Sequence, residues 1–286
     1  MHRLLLTSLL LATAAFAAVD ATQFNEAKGL FDQRKLPEAQ SAFEKLAGAD
    51  PQDPEVNFYL GDLARRRGDF DKAAELLLKS TAAAPTVARY YSALGDVHGQ
   101  AAQKASIFSQ PGLAKKCRLA YEKAVELEPT NVNYRRSLLG FYRQAPGIVG
   151  GGMDKAYAQA EEIRKLNAAA GRIELAGLYV ADKKNSEALA LFEEVLKATP
   201  DDYGANYQIG RMAALTGTAV DRGLETLKKC LTLTPPVDLP PHAAVQWRIG
   251  NLWEKKGDKA AARTAYEASL KLDPKFTQAT DSLKKL

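Results

Sequence analysis

The residue types that most often carry chemistry are few in this sequence of 286 residues, and they are scattered. Its three histidines are His2, His98 and His242, and none sits in a spacing that brings a second metal donor onto the same helical face. Neither an HExxH nor a CxxC pattern occurs, so a zinc site is not expected. Glu161-Glu162 and Glu193-Glu194 read as solvated helix faces rather than a paired general acid and base. Gly150-Gly151-Gly152 is followed by no lysine with serine or threonine and is preceded by no strand, which argues against a phosphate-binding loop. The sequence therefore implies no catalytic residue, no metal and no cofactor, and it is read as that of a protein that is not an enzyme.

The elements that position side chains are clearer than the chemistry. Ala27, Gly61 and Gly95 recur every 34 residues, Ala39 and Ala73 are 34 apart, and so are Pro51 and Pro85. Three residue classes sharing one period of this length mark a repeat architecture. A small residue midway along a first helix lets a second helix approach closely. Gly68-Asp69 and Gly257-Asp258 supply a turn and a cap between the two. Ala39, Ala73, Ala188 and Ala262 fit where helix meets helix, and Phe43, Leu77, Tyr121, Phe192, Leu227 and Tyr266 fill the space between pairs. Prolines at 51, 85, 129, 200, 235 and 274 close the second helices.

On these residues the chain resembles the tetratricopeptide repeat family. The run Phe58-Tyr59-Leu60-Gly61-Asp62-Leu63-Ala64, followed by Gly68-Asp69-Phe70, Ala73, Leu77 and Pro85, carries the likeness. So does Ile249-Gly250, with Trp253, Gly257-Asp258, Ala262, Tyr266 and Asp273-Pro274. The resemblance implies an all-α fold, a right-handed superhelical solenoid of helix-turn-helix repeats. Seven units are expected at about 20–53, 54–87, 88–131, 132–168, 169–202, 203–240 and 241–274, with a capping helix from Lys275 to Leu286. Cys117 and Cys230 then lie three repeats apart, beyond disulfide reach, and read as buried free thiols. His98 falls at a packing position.

Three segments depart from the period. About ten extra residues fall within Gln100–Ala114, about five at Ala145–Gly152, and a proline-dense spacer occupies Thr234–Pro241. The first two enlarge turns on the same edge of adjacent units. Ile107, Phe108 and Leu113 are expected to cover Ile148 and Val149, since exposed apolar clusters are usually covered.

The resemblance also implies that the first helices line a concave face that binds a protein or peptide. Its candidate residues are Phe58, Tyr59, Asp62, Arg65, Arg66, Arg89, Asp96, Arg136, Arg143, Gln144, Tyr207, Arg211 and Trp247. Aromatics and arginines of this kind suit binding hot spots, and the arginines would favour an acidic segment. A small ligand or glycan held at Phe58 and Tyr59 is the alternative.

Lysine and arginine total 39 against 34 aspartate and glutamate, a mild excess without a long basic run, so nucleic acid is not an expected partner. His2 and Arg3 precede an apolar run, Leu4 to Phe16, that ends at the small-residue step Ala15-Phe16-Ala17. Residues 1–18 are read as a cleaved signal peptide and 19–286 as the solenoid, placing the mature protein in the periplasm or outside the cell. No later stretch is apolar enough to span a membrane.

Overall fold

The computed structural model describes residues 19–286, and the signal-peptide expectation falls outside them. Among the described residues the chain is an all-α repeat of helices that follow one another in pairs. These are α1 (Ala21–Asp32) and α2 (Leu36–Ala49), α3 (Pro54–Arg67) and α4 (Phe70–Ala83), and α5 (Ala88–Lys104) and α6 (Gln110–Leu127). Then come α7 (Val132–Gln144) and α8 (Met153–Leu166), and α9 (Ala168–Ala181) and α10 (Asn185–Ala198). The last are α11 (Tyr203–Thr216) and α12 (Val220–Leu231), α13 (His242–Lys255) and α14 (Lys259–Leu272), and α15 (Thr277–Leu283). No described helix is long and apolar enough to cross a membrane.

Local chemistry sets the boundaries. Asp20, Asp53, Asp69, Asp202 and Asp258 each accept a backbone N–H three residues on, which satisfies a donor left open at a helix start. Gly68 and Gly257 adopt φ of +82° and +80°, a conformation that favours glycine, so each turn reverses the chain within a few residues. A proline follows the ends of α2, α4, α6, α10 and α14 by two residues, and Pro235 follows α12 by four. In the third pair, α5 and α6 reach 17 and 18 residues where α3 and α4 have 14, so the extra sequence does lengthen both helices.

Packing within pairs rests on size matching. A Cβ at Gly61 would stand 2.9 Å from Leu77, one at Gly95 2.5 Å from the Tyr121 ring, one at Gly210 2.2 Å from Leu227, and one at Gly250 2.3 Å from Tyr266. Each of these four glycines thus receives the large residue of its own second helix. Leu77, Leu227 and Tyr266 are fully buried as a result.

The helices form two compact units. Among the described residues one comprises 19–137 together with Ile148–Gly150, and the other Leu138–Gly147 with Gly151–Leu286. In the first, Phe43, Tyr59, Leu60 and Leu63 lead a core between α1, α2 and α3. In the second, Tyr203, Tyr207, Leu224, Leu227 and Leu252 pack between α11, α12 and α13. The capping helix closes the second unit: Phe276 and Leu283 pack with Tyr266 and Ala279, and the Trp247 Nε1–H donates to Ser282 Oγ at 3.0 Å. The proline-dense spacer is tied down at one end, where the Tyr203 hydroxyl donates to the Pro240 carbonyl at 2.6 Å and Leu239 joins the core.

One packing expectation is corrected. Ile107, Phe108 and Ile148 are 75%, 92% and 93% exposed, so they do not cover one another; Leu113 and Val149 are half-buried. The chain turns at 105–109 and 147–149 hold these side chains outward, away from the helices they connect.

Candidate functional site

In the first unit the candidate residues come together on α3 and α5, but mostly with one another. Tyr59 is 7% exposed and is therefore a core residue, a correction to its expected place on a binding face. It stacks on Phe43 at 4.8 Å with a 4° interplanar angle, and Phe24, Phe31 and Phe58 meet it edge-on at 5.2–5.8 Å. One residue along a helix is a rotation of about 100°, so Phe58 and Tyr59 face different surroundings. Phe58 stays half-buried.

The arginines here are already engaged. Asp62 accepts from Arg65 Nε at 2.9 Å and from Arg66 Nε at 2.6 Å, and Arg66 also lies 5.0 Å over the Phe31 ring. Arg89 and the Tyr90 hydroxyl both donate to Glu55, while the Arg89 guanidinium covers Phe58 at 5.2 Å. Glu55 was not a candidate, although it precedes Arg89 by 34 residues, one repeat length. Asp96 accepts from the Tyr121 hydroxyl at 2.6 Å, and burial raises its carboxyl above the ordinary value against the opposing pull of that bond and of Arg65. The Glu55 pairs join neighbouring repeats, the Asp62 pairs lie within α3 and the Asp96–Tyr121 bond lies within one helix pair, so Arg65, Arg66 and Arg89, expected to stand ready for an acidic partner, already have partners of their own. Arg136 is exposed on α7 in this unit.

The second unit differs. Arg143 and Gln144 are exposed at the end of α7, and Arg211 is exposed on α11. Tyr207 is 6% exposed and belongs to the core, a second correction. Trp247 is half-buried, held by Ser282 and by Phe276 at 6.0 Å. Burial first, and then the charges of Arg248 and Arg143, hold the Arg211 guanidinium below its ordinary value. The charges of Arg143 on α7 and Arg248 on α13 thus both bear on Arg211 of α11. Among the described residues none of the three forms an ion pair. Arg211 meets only the amide oxygen of Gln208, at 3.2 Å. Arg248 lies 4.3 Å over the Trp247 ring, and its buried Nε has no hydrogen-bond partner. Like charges gathered without a carboxylate repel, and each buried donor left open carries a cost.

The remaining reactive groups are structural. Cys117 and Cys230 are buried free thiols, both pushed up to about 12 by burial and so uncharged at neutral pH. His98 is 7% exposed, and burial lowers its pKa. His242 opens α13, and its Nε2 sits 2.9 Å and 3.1 Å from the Leu233 and Cys230 carbonyls. Glu161, Glu162, Glu193 and Glu194 pair with Arg164, Lys165, Arg222 and Arg172 at 2.6–3.0 Å. An open depression of about 460 Å³ in the second unit is lined mainly by such groups, among them Glu193, Arg222, Glu225 and Lys229.

Successive helix pairs, four of them closed by a glycine facing a large residue, define a helical-repeat protein of the solenoid class. The chain belongs to the tetratricopeptide repeat family: models of that repeat match residues 24–88, 173–236 and 243–276. No curated protein sequence matches it. Among solved structures it is similar to a tetratricopeptide repeat protein from Parabacteroides merdae, with 14% identity, 92% of this chain and 96% of that one covered, and a TM-score of 0.66. It is also similar to a thermophilic TPR protein of Thermus thermophilus, with 21% identity, 67% and 97% covered, and a TM-score of 0.52. The human IFIT1 dimer with m7Gppp-AAAA shares 18% identity over 92% of this chain and 61% of that one, with a TM-score of 0.59. At these identities the likeness is one of fold.

Proposed function

We propose that this protein is a non-enzymatic scaffold that binds an acidic segment of a partner protein on the first helices of its second unit, in a bacterial cell envelope. The family's fold is that of protein-interaction scaffolds in general. The observation that carries the finer reading is the group Arg143, Arg211 and Arg248, three cations gathered without a carboxylate. An acidic side chain or C-terminus placed among them would relieve their repulsion and meet the open Arg248 donor with charge-assisted hydrogen bonds. Trp247 beside them offers an apolar wall. The aromatic cluster at Phe58 and Tyr59 is filled by its own rings, which speaks against a glycan or small ligand seated there.

Fluorescence anisotropy with labelled hexaglutamate and hexaglutamine peptides tests the site. The glutamate peptide is expected to bind, with affinity that falls as salt rises, and Arg143→Glu/Arg211→Glu should weaken it about tenfold or more. Equal binding of the two peptides, or of wild type and variant, would remove the acidic-segment reading. The envelope location rests on the sequence of residues 1–18. N-terminal sequencing of the protein from its own cells should begin at Ala18 or Val19, and a chain beginning at Met1 would overturn it.

A further inference from the structure

The two enlarged turns of the first unit present large apolar side chains to water, and each turn is firmly held. Ile107 and Phe108, 75% and 92% exposed, lie in the turn that leads into α6. The hydroxyls of Ser106 and Ser109 bracket them at 3.3 Å, and the Ser109 N–H donates to the Ser106 carbonyl at 2.9 Å. Ile148, 93% exposed, sits in a one-turn 3-10 segment whose end rests on the same helix: a Cβ at Gly150 would stand 2.7 Å from Arg118 Nε on α6. Gly150 has φ +90°, a conformation that favours glycine, so the turn is fixed by its sequence rather than loosely draped. Both apolar tips are thus built against one helix, and neither is packed.

The chain on either side of them is poor in carboxylates, although Arg118 beside Gly150 pairs with Glu122 at 2.8 Å and Asp154 opens α8 just past the second turn. Between Asp96 and Glu122 the chain carries Lys104, Lys115, Lys116 and Arg118 and no aspartate or glutamate. From Pro129 to Met153, around Ile148, there is again no acidic residue. Lys115 and Lys116 are exposed within the first two turns of α6, the helix into which the Ile107–Phe108 turn leads. Val237, equally exposed in the spacer, lacks this setting and is followed by Asp238. Protruding aliphatic and aromatic side chains among lysines are the composition that inserts shallowly at a lipid surface, where apolar groups leave water and cations meet anionic headgroups. A groove shaped for a peptide would instead enclose its apolar contacts.

We propose that Ile107, Phe108 and Ile148 insert into the headgroup region of an anionic bilayer, with Lys115 and Lys116 supplying the charge attraction. The protein then docks peripherally through its first unit, independently of the arginine group in the second.

Co-sedimentation of the full chain with phosphatidylcholine vesicles, and with vesicles that also contain phosphatidylglycerol, tests this. Wild type should partition to the anionic vesicles and leave them as salt is raised. Ile107→Ser/Phe108→Ser/Ile148→Ser and, separately, Lys115→Glu/Lys116→Glu should each reduce partitioning about tenfold. Both should leave the far-ultraviolet circular dichroism and melting temperature unchanged, since the replaced side chains are exposed. Any partitioning through residues 1–18 is common to all the proteins, so the difference between them reports the tips. Equal partitioning of wild type and variants overturns the proposal. So does a dimer in light scattering that the serine variant abolishes while no protein reaches the vesicles; the tips would then join two copies of this chain. Arg143→Glu/Arg211→Glu should sediment as wild type does, which separates this inference from the peptide site.

Discussion

Alanine at Gly171 should destabilise the second unit by about 3 kcal/mol or more, enough to lower its melting temperature by roughly 6–12 °C. Gly171 lies in the first turn of α9, where only Asn167 separates that helix from α8. The Asn167 side chain accepts the Ala170 N–H at 3.0 Å, and its own N–H donates to the Ile163 carbonyl at 2.7 Å, so the corner has no slack. A Cβ at Gly171 would stand 2.2 Å from Arg164 Cα and 2.3 Å from Arg164 N and Cβ. These are backbone positions of α8, and no rotamer change clears them. Gly177 in the same helix is the control, because a Cβ there meets nothing within 4 Å. Gly177→Ala should hold or raise stability through helix propensity, by up to about 1 kcal/mol. Thermal melts followed by circular dichroism decide the matter. If the two variants shift the midpoint alike, close approach at this corner is not what Gly171 provides.

Phe43→Ala should cost about 3–5 kcal/mol, felt first at the start of the described chain. The Phe43 ring is fully buried between Tyr59 and Phe24 and has no polar atom to re-solvate. The void would open between the first pair and α3, on which α2 packs. Because a repeat array is stabilised by nearest neighbours, α1 and α2 should detach while later helices stay folded. Amide exchange in Leu36–Ala49 is expected to quicken about a hundredfold or more, with little change in α5 and α6. Uniform quickening across all these helices would mean that the first unit unfolds as one body.

Spacing made the helix pairs legible, because period, small residue, filler and closing proline each mark a position on a rotation of known angle. The glycine–filler contacts at Gly95 and Tyr121, or Gly250 and Tyr266, follow directly from that arithmetic. Faces were harder. Tyr59 and Tyr207 were placed outward, yet each turns into the core, while their neighbours Phe58 and Gln208 are half-buried. Partners were harder still. Glu55 reaches Arg89 across a repeat, and a pairing between adjacent helices depends on rotamers that composition does not encode. The unpaired state of Arg143, Arg211 and Arg248 became visible only once their surroundings were known. The turns at 105–109 and 147–149 follow no period, and hydrophobicity alone suggested cover where the backbone holds the side chains out.

The glycine and its filler always belong to the same pair of helices, and this bears on how the chain acquires its structure. Gly61 meets Leu77, Gly210 meets Leu227 and Gly250 meets Tyr266 across less than one repeat of sequence. Closing so short a loop costs little entropy, so each pair can find its register before the next has been made. A ribosome would release this protein as a series of nearly finished pieces, each adding to the one before, and no segment need wait for a distant partner.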